Sequence, residues 1–271
     1  MDADDVGVAD ARPVVRWTLA QQTRSLAAWA VAIGAVSLMY IGFWPSMKGI
    51  DTTSMIDNLP DAMVEAMGYD QISTASGYLS STVYGLLAPA LLMVFATIKG
   101  GALLAGAEES SDLELELSAP VGRSQIYLGR LAALWLLVAS MSAVVGVVTV
   151  VMRTPLDMDV AIGNIGAAVV GLFLLGAMVA TVAYAAGAVT GRRAIAAGAG
   201  ALVGVGSFML DAIGGGIGAD WMTTVSPFSW YIGGEPLSQG FDSGGLARLA
   251  AVAVVALVVG LRGFERRDLM V

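Results

Sequence analysis

Few side chains in this chain have the types and spacing that bond-making chemistry needs. Of its 271 residues none is Cys and none is His. That removes zinc, haem and iron–sulfur sites built on those ligands, Ser-His-Asp and Cys-His nucleophiles, and disulfide stapling. A phosphate loop would need glycines followed by Lys and Ser or Thr. The cluster Gly214-Gly215-Gly216-Ile217-Gly218 has no lysine and follows an apolar run rather than a strand. What remains is carboxylate and guanidinium: Glu108, Glu109, Glu114 and Arg123 within one short stretch, and Asp211 at the end of an apolar run. An intramembrane hydrolase therefore lacks its groups, and docking or ion pairing is the work these side chains suit. The balance of 14 Lys and Arg against 22 Asp and Glu speaks against nucleic acid as a partner, because phosphate binding needs clustered basic charge.

The elements that must carry these residues are membrane spans. Hydrophobic residues make up 57% and charged ones 13% of the chain, about half the charge of an ordinary soluble domain. A hydrocarbon core of about 30 Å takes roughly 20 apolar residues per helix. Six such runs occur, at about 26–44, 78–98, 125–152, 162–190, 194–210 and 246–261, the second closed by Lys99-Gly100-Gly101 and the third by Arg153-Thr154-Pro155. The fold class is all-α: a six-helix transmembrane bundle with an N-terminal interfacial helix, a cytoplasmic coupling helix and short outer helices. Residues 1–12 form a disordered acidic tail and 13–271 one transmembrane domain. With both termini inside, eleven of the fourteen Lys and Arg lie in inner segments, leaving only Lys48, Arg153 and Arg248 outside. The acidic N-terminus is unlike a cleavable signal peptide. Gly187 and Gly191, Gly200 and Gly204, and the Ala-rich run 194–204 allow close helix packing, read as contacts inside one subunit.

None of the six runs holds Asp, Glu, Lys or Arg beyond its end turns. Coupling to a proton or sodium gradient commonly uses an intramembrane ionisable group, so this bundle is passive or is powered from elsewhere. Asp211 is the nearest exception and reads as a solvated helix end.

On the inner side, Ser111 and Glu114 can form a capping box that opens a short helix ending near Ala119-Pro120. About seven residues do not hold a helix alone in water, so it needs a surface to pack on. Leu113 and Leu117 share one face, which suits a partner's groove; Leu113, Leu115 and Leu117 also alternate as a short strand would, or could tuck beneath the bundle. Ahead of the first span, Arg16, Trp17 and Arg24 suit a helix in the headgroup layer, or a simple inward extension of that span. On the outer side, Asn58, Pro60, Asp61 and Gly68 bound a helix with an apolar Met-rich face, a lid or plain packing. Asp211, Trp221, Pro227, Phe228 and Trp230 belong to an aromatic outer stretch, either a belt of interface anchors or a gate.

The run Ala107-Glu108-Glu109-Ser110-Ser111-Asp112-Leu113-Glu114-Leu115-Glu116-Leu117-Ser118-Ala119-Pro120-Val121-Gly122-Arg123-Ser124 resembles the first cytoplasmic loop of type-2 ATP-binding-cassette (ABC) exporter permeases. Gly263-Phe264-Glu265-Arg266-Arg267-Asp268-Leu269 is similar to that family's ending, and Ser226-Pro227-Phe228 with Gly233, Pro236 and Leu237 resembles its last outer loop. One departure is Ser110-Ser111, where the family often has Gly. The resemblance covers nearly the whole chain. It implies that Glu108, Glu109, Glu114, Leu117, Pro120 and Arg123 belong to a coupling element seated in a nucleotide-binding ATPase subunit. It further implies a second permease subunit, identical or not, in a prokaryotic plasma (inner) membrane, and a short outer hairpin dipping back into the bilayer, broken at 214–218 and turned at Pro227. This chain would hold no cofactor, ATP and magnesium belonging to the partner subunit. Its partners would be the ATPase, membrane lipid and a hydrophobic or amphipathic substrate exported by the pair. The alternative is a non-transporting scaffold or sensor subunit.

Overall fold

The computed structural model describes residues 12–48, 74–109 and 122–267. All regular structure among them is helical. Six helices are long and apolar enough to cross a membrane: α1 (Arg12–Gly42), α3 (Ala75–Glu109), α4 (Arg123–Arg153), α5 (Ile162–Thr190), α6 (Arg193–Ile217) and α10 (Ser243–Arg266). Short helices join them at one end: α2 (Trp44–Lys48), α7 (Asp220–Val225), α8 (Pro227–Ile232) and α9 (Pro236–Gln239). The protein is an all-α multi-pass membrane bundle. The outer helix expected around Asn58, Pro60, Asp61 and Gly68 lies outside the described residues.

α5 is the centre post. It touches α3, α4, α6 and α10, and two thirds of its most apolar window is buried, against 22% for α6 and α10. Small residues make this possible. A Cβ on Gly176 would come within 2.8 Å of Val138, and one on Gly187 within 3.1 Å of Ala105 and 3.3 Å of Ala196. Gly200 sits against Ala183 and Thr97, and Gly204 against Met93. The four-residue glycine spacings thus join helices within this chain, while Gly191 closes α5 in the left-handed conformation (φ +67°).

Helices overrun the apolar runs that announced them. No Gly or Pro interrupts residues 14–33, so the stretch holding Arg16, Trp17 and Arg24 is continuous with the first span and, among the described residues, does not form a separate interfacial helix. At 1.5 Å per residue α1 measures about 46 Å, more than the hydrocarbon thickness. α3 passes straight through Lys99-Gly100-Gly101, where the sequence suggested an end. Those glycines serve packing instead: a Cβ on Gly100 would lie 2.6 Å from the Ala180 carbonyl oxygen and 2.9 Å from the Ala183 Cβ. α6 likewise continues through Gly214-Gly215-Gly216 and ends at Gly218 (φ +66°), because Gly214 supplies the room for Met222 to fold back beside it.

α3 also contains two π-helical turns, Val83–Leu87 and Ala102–Gly106, one toward each end. Such wide turns misalign the carbonyl ladder and need outside donors. Both receive one. The Tyr231 hydroxyl donates to the Tyr84 carbonyl at 2.9 Å, and Arg130 Nη1 donates to the Leu103 carbonyl at 2.5 Å.

Candidate functional site

The end of the bundle where α3 finishes and α4 begins is rich in arginine and is called the basic end below. Glu108 and Glu109 close α3, and Arg123 opens α4, whose first turn is held by the Gln125 side chain accepting from the Gly122 N–H at 3.0 Å. Arg267, just beyond α10, ties these stems together. Its guanidinium pairs with Glu108 Oε1 and donates from Nη1 to the Ala188 carbonyl at 3.0 Å, while its own carbonyl accepts from Arg123 Nη1 at 3.1 Å. Glu109 Oε1 accepts the Arg193 N–H at 2.9 Å, which caps the start of α6. Burial pushes the Arg267 guanidinium below its usual pKa; the group remains charged at neutral pH, since arginine titrates far above it. Glu114, Leu117 and Pro120 lie outside the described residues.

Charges also lie deeper than the sequence suggested. Arg130, two turns into α4, is 3% exposed, and Lys99 is 8% exposed inside α3. Lys99 Nζ donates to Gln22 Oε1 at 2.6 Å and Ser25 Oγ at 2.8 Å, so neutral oxygens on α1 solvate its ammonium. These two residues correct the expectation of ion-free spans: Arg130 lies within the third apolar run and Lys99 just past the end of the second, and both are buried in the packed bundle. The seven-residue step from Arg123 to Arg130 was the available signal, since it returns to the same helix face.

Between α3 and α6 lies an apolar pocket of about 370 Å³, walled by Met93, Val94, Gly204 and Phe208. Thr97 is its one polar side chain among the lining residues. Gly200 and Gly204 form the α6 side, where the missing side chains make the space.

At the opposite end, Phe228 is buried edge-to-face against Phe208 (5.1 Å) and Tyr231 (5.8 Å). Pro227 is the first residue of α8; the turn before it is made by buried Ser226, which donates to the Ser207 carbonyl at 2.7 Å and caps α8 at Ser229 N–H. Trp230 Nε1 donates to the Thr224 carbonyl at 2.7 Å, Trp221 is 66% exposed, and Asp211 is half-buried beside Ser229. Asp211 is therefore not a freely solvated helix end, because α6 runs on beyond it. α8 reaches well along α5: Tyr231 packs on Gly171, nine residues or about 14 Å from the first residue of α5.

A family model described as "Multidrug efflux system permease Rv1217c, C-terminal domain" matches residues 15–265. The chain belongs to that family. This multidrug efflux permease family accounts for the six-helix bundle and makes the protein a transport permease domain. Among curated proteins, none matches the permease. Asp211, Trp221, Pro227, Phe228 and Trp230 of the permease cluster at one end, and Glu108, Glu109 and Arg123 at the other, with Arg16, Trp17 and Arg24 exposed on α1. What sequence reasoning missed was Arg267 as the tie between stems and Thr97 as the pocket's hydroxyl; neither stands out from its neighbours without contacts.

Proposed function

We propose that the permease is the transmembrane subunit of an ATP-driven type-2 ABC exporter that moves a hydrophobic or amphipathic compound out of the cell. A separate ATPase subunit, carrying ATP and magnesium, docks on residues 108–123, and a second permease subunit completes the pathway. The basic end then faces the cytoplasm of a prokaryotic plasma membrane, in keeping with the concentration of arginine there.

The observation that carries this reading is the fastening of both stems of that segment to Arg267. A docked motor can do work on the bundle only if its foothold is rigidly connected to helices. Here Glu108, Arg123 and Ala188 connect it to α3, α4 and α5 through one residue. The apolar pocket between α3 and α6 supplies a compatible cargo site, its single hydroxyl offering orientation and its walls desolvation.

The test replaces residues 110–121 with a Gly/Ser linker, leaving both stems intact. Expected are normal membrane insertion, loss of the co-purifying ATPase, and loss of ATP-dependent uptake of a lipophilic dye into inverted vesicles. Undiminished ATP-dependent uptake would refute the docking role. A native-membrane preparation carrying no ATPase would return the protein to a scaffold or sensor role.

A further inference from the structure

Asp211 is half-buried within α6, and its carboxylate accepts from the Ser229 side chain of α8. It forms no ion pair with any described Lys or Arg. Three cations stand at that end of the bundle. Lys48 pairs instead with Asp157 at 3.7 Å, Arg153 closes α4, and Arg248 lies exposed near the start of α10. The stretches outside the described residues contain no Lys or Arg, so no further basic side chain is available to the carboxylate. Nor does it sit beyond the apolar surface. Ile213 and Ile217, both exposed, follow it along the same helix. An acidic side chain at such a level is costly to ionise without a cation, and one hydroxyl offsets only part of that cost.

Helix geometry sets Asp211 at the mouth of the α3–α6 pocket. The α6 wall runs from Gly200 through Gly204 to Phe208. Asp211 lies seven residues after Gly204, which returns to nearly the same helix face, and three after Phe208, a rise of about 4.5 Å. The pocket itself is apolar apart from Thr97, so it desolvates a greasy body but offers no charge. Phe208 adds an aromatic ring between that body and the carboxylate, a surface on which a cation rests favourably. We propose that Asp211 is the specificity-determining carboxylate of this pocket, which takes lipophilic cations with their apolar groups between α3 and α6 and their positive charge at Asp211. The proposal rests on the reading of the pocket as the cargo site.

The full-length permease in phosphatidylcholine nanodiscs is dialysed to equilibrium against two probes, with empty nanodiscs as the blank. One is the cation tetraphenylphosphonium, the other the neutral lipophile N-phenyl-1-naphthylamine. Asp211→Asn keeps the shape and an acceptor for Ser229 but removes the charge. It should lower the ratio of cation to neutral affinity about tenfold, with thermal unfolding recorded to show an intact bundle. Asp211→Glu should restore most of the ratio. Asp220→Asn, at an exposed carboxylate of the same end, should leave the ratio as it is. Gly204→Val should weaken both probes together. If Gly204→Val does so while Asp211→Asn leaves the ratio unchanged, the pocket stands and the carboxylate's role is overturned. An equal fall in Asp220→Asn would also overturn it, because diffuse surface charge would then suffice. Retention of neither probe by the wild-type chain, or of both by Gly204→Val, would overturn the cargo-pocket reading and this proposal with it.

Discussion

Glu108 and Arg123 are held by the same residue: the Arg267 guanidinium pairs with Glu108, and the Arg267 carbonyl accepts from Arg123 Nη1 at 3.1 Å. The two stems of a segment that belongs to α3 and α4 are thereby clamped by the chain's C-terminal stretch. Because Arg267 also binds the end of α5, a displacement of either stem is transmitted to the centre post rather than absorbed in a loop.

Arg267→Ala should uncouple more than it unfolds. The lost charged contacts are about a quarter exposed, so a stability cost of about 1–2 kcal/mol is expected. Thermal unfolding in detergent should fall by a few degrees, whereas ATP-linked dye uptake should fall about tenfold. Uptake and melting that decline in step would make the residue a plain structural tie.

Tyr231→Phe removes the donor that satisfies the Tyr84 carbonyl in the outer π turn. Both groups are buried, so leaving that carbonyl unpaired should cost about 1–3 kcal/mol. Hydrogen exchange of the amides in Val83–Leu87 should rise selectively; an unchanged exchange pattern would show that the turn needs no such prop.

Gly100→Ala should disrupt the bundle itself. The added methyl would meet the Ala180 carbonyl oxygen at 2.6 Å, a backbone atom that cannot rotate away. Overpacking of this kind costs about 1–3 kcal/mol, visible as reduced yield and a lower unfolding temperature. Wild-type melting for this variant would mean that α3 and α5 can slide apart freely.

Gly204→Val and Gly200→Ala should differ in kind. At Gly204 the nearest atoms belong to flexible Met93, so valine fills the apolar pocket with little strain. Dye uptake should drop while ATPase co-purification persists. At Gly200 a methyl meets the Ala183 Cβ and Thr97 Oγ1 at 2.9 Å, and stability should fall by about 1–3 kcal/mol. If Gly204→Val transports normally, cargo does not use this pocket.

The apolar runs gave the number and order of spans, because roughly 20 residues without charge have few other destinations. Their lengths were less readable. Hydropathy stops at Lys99 or Arg193, but a helix stops only where its backbone does, and the bundle provides neutral oxygens for Lys99 and a carbonyl for Arg130. Glycines misled for a related reason: Gly100 and Gly214 resemble breakers in isolation, yet each creates space for a neighbouring element. In the site, Glu108, Glu109 and Arg123 were recognisable from their motif and do sit together, whereas Arg267 reaches them from the far end of the sequence. Such long-range pairs leave no trace in local periodicity. The α3–α6 pocket is equally silent, since its residues are the ordinary letters of any apolar helix.

The burial of α5 on nearly every side has a consequence for how the chain can change over time. Positions such as Leu172, Leu175 and Met178, each wholly enclosed by neighbours, tolerate almost no alteration in volume. On α6 and α10, by contrast, Leu202, Val205, Val254 and Val255 look outward, where one greasy side chain serves as well as another. Natural variants should therefore drift fastest on the periphery and slowest along the central pole.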